Sequence, residues 1–193
     1  MITTQTHQRQ QRAKAAQVLL SLHQQGNLEK PERWTWQALD LLPAWCLADA
    51  TERQQLQQVC GALFLSPEIR FWIEKPALNA LQTLIGEQVF TQIMTHADAM
   101  LLPREPVAPF IKQAVPDLST LQPDTLQSLL MSAGATVLSA TVDESLPREM
   151  LVESLGEGLA EITSEAAQAL HDVAALLLSS TMQPTEKSEV SAA

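Results

Sequence analysis

Glycine is scarce in this chain, and the structures that glycine builds are missing with it. Six glycines among 193 residues form no GxGxxG and no Walker loop, so a nucleotide would find no backbone cradle for its phosphates. No GxSxG turn holds a serine nucleophile on a strained backbone. Cysteine is scarcer still. Cys46 and Cys60 form no CxxC and have no histidine nearby, which excludes a disulfide framework and reads as two buried thiols in a reducing compartment. His7, His23, His96 and His171 are scattered, and the nearest approach to a ligand spacing is His96 with Asp98. A zinc site needs soft ligands in close pairs, and the sequence supplies none. No catalytic, metal-binding or cofactor-binding residues are therefore assigned, and the reading is of a protein that is not an enzyme.

Positive charge is the third shortage. Twelve Lys and Arg stand against 22 Asp and Glu, for a net charge of −10. That balance excludes nucleic-acid phosphates and anionic lipid as electrostatic partners. It favours proteins with basic surfaces, because opposite potentials steer encounter. No apolar run approaches the ~20 residues of a membrane span, and the N-terminus, MITTQTHQRQQRAK, lacks the apolar stretch of a signal peptide. These absences predict a soluble, cytoplasmic protein without direct membrane insertion.

What the chain does have is apolar helical periodicity, with 46% hydrophobic residues over a length that suits one well-buried core or two small ones. All four tryptophans (Trp34, Trp36, Trp45, Trp72) and Phe64, Phe71 and Phe90 lie between residues 34 and 90, which centres a core there. A first helix is expected over 4–25, polar at its start and amphipathic through Ala15, Val18, Leu19 and Leu22, with Gly26 as its stop. Pro31 and Pro43 bracket an element holding Trp34, Trp36, Leu39 and Leu42. Thr51 with Gln54 reads as a capping box opening a helix over 52–65, with Leu56, Val59, Cys60 and Leu63 on one face. Ser66-Pro67 reads as a restart into a short helix carrying Ile69, Phe71, Trp72 and Ile73. Pro76 repeats the device and opens a helix over 77–95 through Leu78, Leu81, Leu84, Ile85, Val89, Ile93 and Met94.

Four prolines between residues 101 and 116 then predict a connector. Beyond it, Pro123 opens a helix with Leu126, Leu129, Leu130, Ala133, Val137 and Leu138 on one face, and Pro147 opens the next. An apolar stripe from Leu151 to Leu177 is weakened at Gly156 and Gly158, which predicts a break and a restart at Thr163 or Ser164. The fold class expected is all-α, an irregular bundle of about eight or nine short helices. Its organisation is an N-terminal polar to amphipathic helix in 1–30, a helical domain over 31–180 with lobes 31–100 and 117–180, and a disordered tail over 181–193.

Two surface features stand out. Glu149, Glu153, Glu157, Glu161 and Glu165 recur every four residues, a spacing that on one helix sets like charges against each other at about 0.2–0.5 kcal/mol per pair. Residues 141–193 hold ten acids and two bases, whereas residues 1–35 hold five bases and two acids. The run is either a solvated face or a docking ridge for a basic partner surface or for the chain's own basic first helix. Trp45 and Trp72 sit inside apolar runs and belong to a core. Trp34 and Trp36 follow a polar PER segment and, one residue apart, cannot both face the core of one helix, so they join the five glutamates as candidate interface residues.

The central block, residues 41–110, resembles SctK, the cytosolic accessory protein of type III secretion systems (the YscK and PscK group). The pieces that carry the resemblance begin with Leu42-Pro43-Ala44-Trp45, a leucine-rich helix through Leu56 and Leu65 around Gly61, and Ile69-Arg70. They continue with Leu78, Leu81 and Leu84 at three-residue spacing, Ile93-Met94, and a proline-rich connector from Leu102-Pro103 to Pro109. The chain departs from the family at both ends, in its Gln-rich first helix and its acidic last helix and tail. The resemblance implies a non-enzymatic adaptor of the injectisome sorting platform, needed for protein secretion. Such an adaptor joins the cytoplasmic domain of the inner-membrane ring protein (SctD) to the pod protein (SctQ) at the cytosolic face of the membrane. A type III secretion chaperone, which would be a mixed α/β dimer, and a helical regulatory or binding module are the alternatives.

Overall fold

The computed structural model describes residues 2–24, 39–100, 121–146 and 148–181. Every regular element among them is helical, and none is a strand. The described residues hold seven α-helices against the eight or nine expected of the whole chain: α1 (Ile2–Gln24), α2 (Ala50–Ile69), α3 (Lys75–Ile85), α4 (Glu87–Met100), α5 (Pro123–Ala140), α6 (Arg148–Glu153) and α7 (Ser164–Thr181), with a 3₁₀ turn at Ala44–Leu47 before α2. Gly26, most of the Pro31–Pro43 element, the 101–116 connector, Pro147 and the tail after residue 181 lie outside the described residues.

α2 and α5 form the centre. Residues 56–66 of α2 are buried on every side, as are residues 133–138 of α5, which is the mark of a helix enclosed by others rather than laid on a surface. The two cross at glycines. A Cβ on Gly61 would stand 2.0 Å from the Leu130 carbonyl oxygen, and one on Gly134 would stand 1.9 Å from that of Gln57. Each helix thus presents, one turn apart, a glycine and the carbonyl that meets the other helix's glycine. α7 packs on both central helices, α4 on α2 and α7, and α3 bridges α4 and α5. One apolar cluster runs through them all, from Ala15 and Leu19 on α1 to Leu177 on α7.

The 3₁₀ turn seats Trp45 and Cys46 in this cluster, and the Trp45 indole Nε1–H donates to Thr141 Oγ1 at the end of α5 (3.0 Å). Trp72 is buried as well, so both tryptophans assigned to the core are there. α1 buries only Ala15 and Leu19 of its described side chains and packs on the 3₁₀ turn. The Arg12 guanidinium grips the Asp40 carboxylate with two bonds, Nε to Oδ1 at 2.7 Å and Nη2 to Oδ2.

Three boundaries differ from the sequence reading. The capping box of α2 is Asp49 with Glu52, not Thr51 with Gln54. Asp49 Oδ1 accepts from the Glu52 N–H (2.8 Å), and Glu52 Oε2 accepts from the Asp49 N–H (3.2 Å). Two carboxylates at the positive end of the helix outcompete a neutral pair two residues on.

Next, Ser66-Pro67 does not restart a helix: α2 runs through Pro67 to Ile69. The proline leaves the Leu63 carbonyl without its backbone donor, and the Ser66 hydroxyl donates to that oxygen instead (2.8 Å). The short helix expected to carry Ile69, Phe71, Trp72 and Ile73 is the end of α2, a turn and then irregular backbone. Ile69 and Trp72 point inward while Phe71 and Ile73 are 81% and 84% exposed.

Finally, the helix expected over 77–95 is two helices. They are divided at Gly86, whose φ of 86° and ψ of 149° stop α3 and re-aim the chain into α4. The left-handed φ is open to glycine at no steric cost.

Candidate interaction surface

The glutamate series lies where α6 ends and α7 begins. Glu153 is the last residue of α6, Glu157 and Glu161 sit on the irregular segment that follows, and Glu165 is in the first turn of α7; all four are exposed. The Glu149 side chain, and all of Trp34 and Trp36, lie outside the described residues. The break expected at Gly156 and Gly158 is present, and α7 restarts at Ser164. Like-charge repulsion at a helical four-residue spacing therefore does not accumulate along this series.

The irregular segment is not left loose. Leu151 and Leu155 are buried, and Leu159 and Ile162 pack half-buried against the core. Gln57, a buried residue of α2, donates from Nε2 to two carbonyl oxygens, those of Leu155 (2.8 Å) and Met131 (2.7 Å). One carboxamide thereby joins α2, α5 and the acidic segment. Thr136, buried on α5, receives the Leu159 N–H at its Oγ1 (2.7 Å). Gly158 lets the backbone come this close, since a Cβ there would stand 3.0 Å from the same hydroxyl oxygen. Gly156 takes a φ of 82° to turn the chain. At the restart, Thr163 Oγ1 accepts the Ala166 N–H (3.3 Å), a cap that places Glu165 against the positive end of α7.

Tertiary structure adds two acids that the four-residue series does not contain. Asp143 and Glu144, in the turn after α5, border an open depression whose other side is Ser164, Glu165 and Gln168. The Ser145 hydroxyl and N–H donate to Asp143 Oδ1 (2.5 and 2.9 Å) and hold its carboxyl below the usual carboxylate range. The acid-rich count over residues 141–193 contained both residues, but periodicity along one segment could not bring them beside Glu165. The resulting surface displays a set of exposed carboxylates, whose potential attracts positive charge. The basic first helix is committed elsewhere, through Arg12 to Asp40 and by contact with the 3₁₀ turn.

Both cysteines are free and buried. Burial pushes the Cys46 thiol up to about 12 against a small opposing pull from Arg53, and it raises Cys60 further. A thiol so far from ionisation is poor as a nucleophile and as a metal ligand. Among the described residues no group of three His, Cys, Asp or Glu is placed to hold a metal ion, and no helix is long and apolar enough to cross a membrane. Compared with protein-family models, with curated proteins and with solved structures, the chain matches none.

Proposed function

We propose that this protein is an SctK-type adaptor of a type III secretion sorting platform, a non-enzymatic helical spacer between the pod protein (SctQ) and the cytoplasmic domain of the ring protein (SctD). The observation that carries the reading is the acidic segment held to two central helices by Gln57 and Thr136. Carboxylates on a backbone fixed in this way present a constant pattern to a basic surface, and little ordering entropy remains to be lost on docking. The all-helical described structure favours the adaptor over a mixed α/β chaperone. The pieces Leu42-Pro43-Ala44-Trp45 and Ile69-Arg70, on which the resemblance rests, sit at either end of α2 and place Trp45 and Ile69 in the core. In this reading the protein works in the cytoplasm at the inner face of the bacterial membrane, without contacting nucleic acid or inserting into lipid.

Co-purification with the pod protein and with the ring protein's cytoplasmic domain tests the assignment. Binding at micromolar concentration is expected, and the absence of binding to both ends it. The acidic surface has its own test. Reversal of Glu153, Glu157 and Glu161 to Lys should weaken the complex most at low salt, because screening removes exposed charge interactions. Equal affinity of wild type and variant across a salt series removes the surface from the account.

A further inference from the structure

Four polar side chains are buried among the described residues, and three of them are satisfied. Gln57 bonds two carbonyls, Ser66 bonds the carbonyl that Pro67 orphans, and Thr136 bonds the Leu159 N–H. Gln58 is the fourth. It is 6% exposed, and among the described residues no group bonds its carboxamide. An unmade hydrogen bond on a group this buried costs about 1–3 kcal/mol, so native proteins leave few of them.

Gln58 is not sealed in the core. It lines a half-open cleft of about 440 Å³ between α2, the α3–α4 break and the end of α7. The break supplies the opposite wall. Gly86 N–H donates back to the Gln82 carbonyl (2.9 Å) and Phe90 N–H donates to the Gly86 carbonyl (2.9 Å), which closes α3 and opens α4. Between those two bonds no other main-chain bond crosses. The carbonyls of residues 83–85 and the N–H groups of residues 87–89 therefore stand outside both helical ladders, and all of these residues line the cleft. Val59, Leu84 and Leu178 give it an apolar component. Among the described residues its lining contains no Lys, Arg or His and a single carboxylate, Glu87.

We propose that this cleft is a binding site for a peptide main chain: a short uncharged segment of a partner protein whose amide groups bond Gln58 and the open backbone groups of the Gly86 break. A carboxamide is matched by a group that offers a donor and an acceptor side by side, and a peptide unit does so. The break offers the same pairing along its wall, with acceptors at the end of α3 and donors at the start of α4. The apolar residues accept one small aliphatic side chain. A lining without cationic side chains gives an anion only the α4 N-terminus, with Glu87 opposing it, and one carboxylate does not make a cation site. The proposal is independent of the secretion reading, because it rests on no acidic-surface residue.

The test uses the ¹⁵N-labelled full chain titrated with N-acetyl-leucine methylamide, a capped residue carrying two peptide units, and followed by NMR. Saturable shifts are expected at the Gln58 side-chain amide and at the N–H groups of residues 86–89. The methyl ester, which lacks one donor, should bind about fivefold more weakly. Gln58→Leu should bind the amide about fivefold more weakly as well, with an unchanged or raised Tm because the wild-type carboxamide has no internal bond to lose. Non-saturating or scattered shifts overturn the proposal, as does equal affinity for amide and ester. Tighter binding of N-acetyl-leucine as the free acid overturns it too, because the cleft would then be an anion site at the start of α4. The amide-against-ester comparison decides the matter on wild-type protein even where the variant fails to fold.

Discussion

Replacing Gly134 by Ala should be among the most damaging conservative changes this protein can suffer. The new methyl would stand 1.9 Å from the Gln57 carbonyl oxygen and 2.7 Å from its carbon, and both atoms belong to the backbone of a buried helix that cannot swing aside. Relief requires α2 and α5 to separate by more than an ångström at their crossing. A radial gap of 0.5–1 Å already forfeits about a quarter to a half of each dispersion contact, and overpacking in cores costs about 1–3 kcal/mol or more. Against this, Ala gains about 1 kcal/mol of helix propensity over Gly. The crossing is the most extensive packing between described helices, so a net loss of about 3 kcal/mol is expected, near the top of the overpacking range.

For a chain of this size that corresponds to a fall in Tm of roughly 6–12 °C. Thermal and urea unfolding followed by far-ultraviolet circular dichroism measure it. Gly61→Ala, whose Cβ would meet the Leu130 carbonyl at 2.0 Å, should behave alike. The double variant should lose less than the sum, because one separation relieves both clashes. Gly86→Ala differs in kind, with open space around its Cβ and a cost of about 1–3 kcal/mol that is purely backbone strain, because its positive φ with extended ψ is a region almost restricted to glycine. A Gly134→Ala protein as stable as wild type would show that the two helices do not meet backbone to backbone, and the central crossing would be wrong.

Gln57→Leu removes two bonds and leaves the Leu155 carbonyl without its partner, while the Met131 carbonyl keeps its place in the α5 ladder, so it should cost about 1–3 kcal/mol and speed amide hydrogen exchange over residues 155–160. Thr136→Val keeps the shape of the side chain but deprives the Leu159 N–H of its acceptor, and faster exchange at Leu159 is expected before any global unfolding. Asp40 should titrate below the usual carboxylate range, because the bond from Arg12 favours its charged form. A depressed folded-state value means that the pairing stabilises the protein above the unfolded value and is lost as pH falls through the folded one. Asp40→Asn should therefore flatten the acid limb of the stability profile, by a small amount because the pair is exposed. Native protein at pH 8 should leave Cys46 and Cys60 unmodified by an aromatic disulfide reagent that labels both in denaturant, since burial holds each thiol protonated.

The sequence by itself determined the helical class, because leucines at spacings of three and four leave no other way to gather an apolar face. It placed Trp45, Trp72 and both cysteines inside, and it located the break at Gly156 and Gly158, where glycine removes helix propensity without any help from neighbours. Elsewhere a local signal had rivals of nearly equal strength, and tertiary contact chose between them. Two capping boxes overlap at residues 49–54, and the one with two carboxylates wins. Pro67 reads as a helix start until the Ser66 hydroxyl is seen to replace the bond it removes. Gly86 passes as a weak point within a long apolar stripe, yet the contacts of α3 with α5 and of α4 with α7 require the chain to turn there.

The surfaces were decided almost wholly in three dimensions. Periodicity offered the five glutamates as a solvated face or a ridge already interrupted at Gly156 and Gly158. The fold pins the interrupted segment through Gln57 and Thr136 and adds Asp143 and Glu144 from another turn. Gln57 and Gln58 are adjacent and identical in sequence, and nothing along the chain separates a satisfied carboxamide from an unsatisfied one. Helical geometry does so by pointing them about 100° apart, one into the α2–α5 seam and the other into the cleft at Gly86.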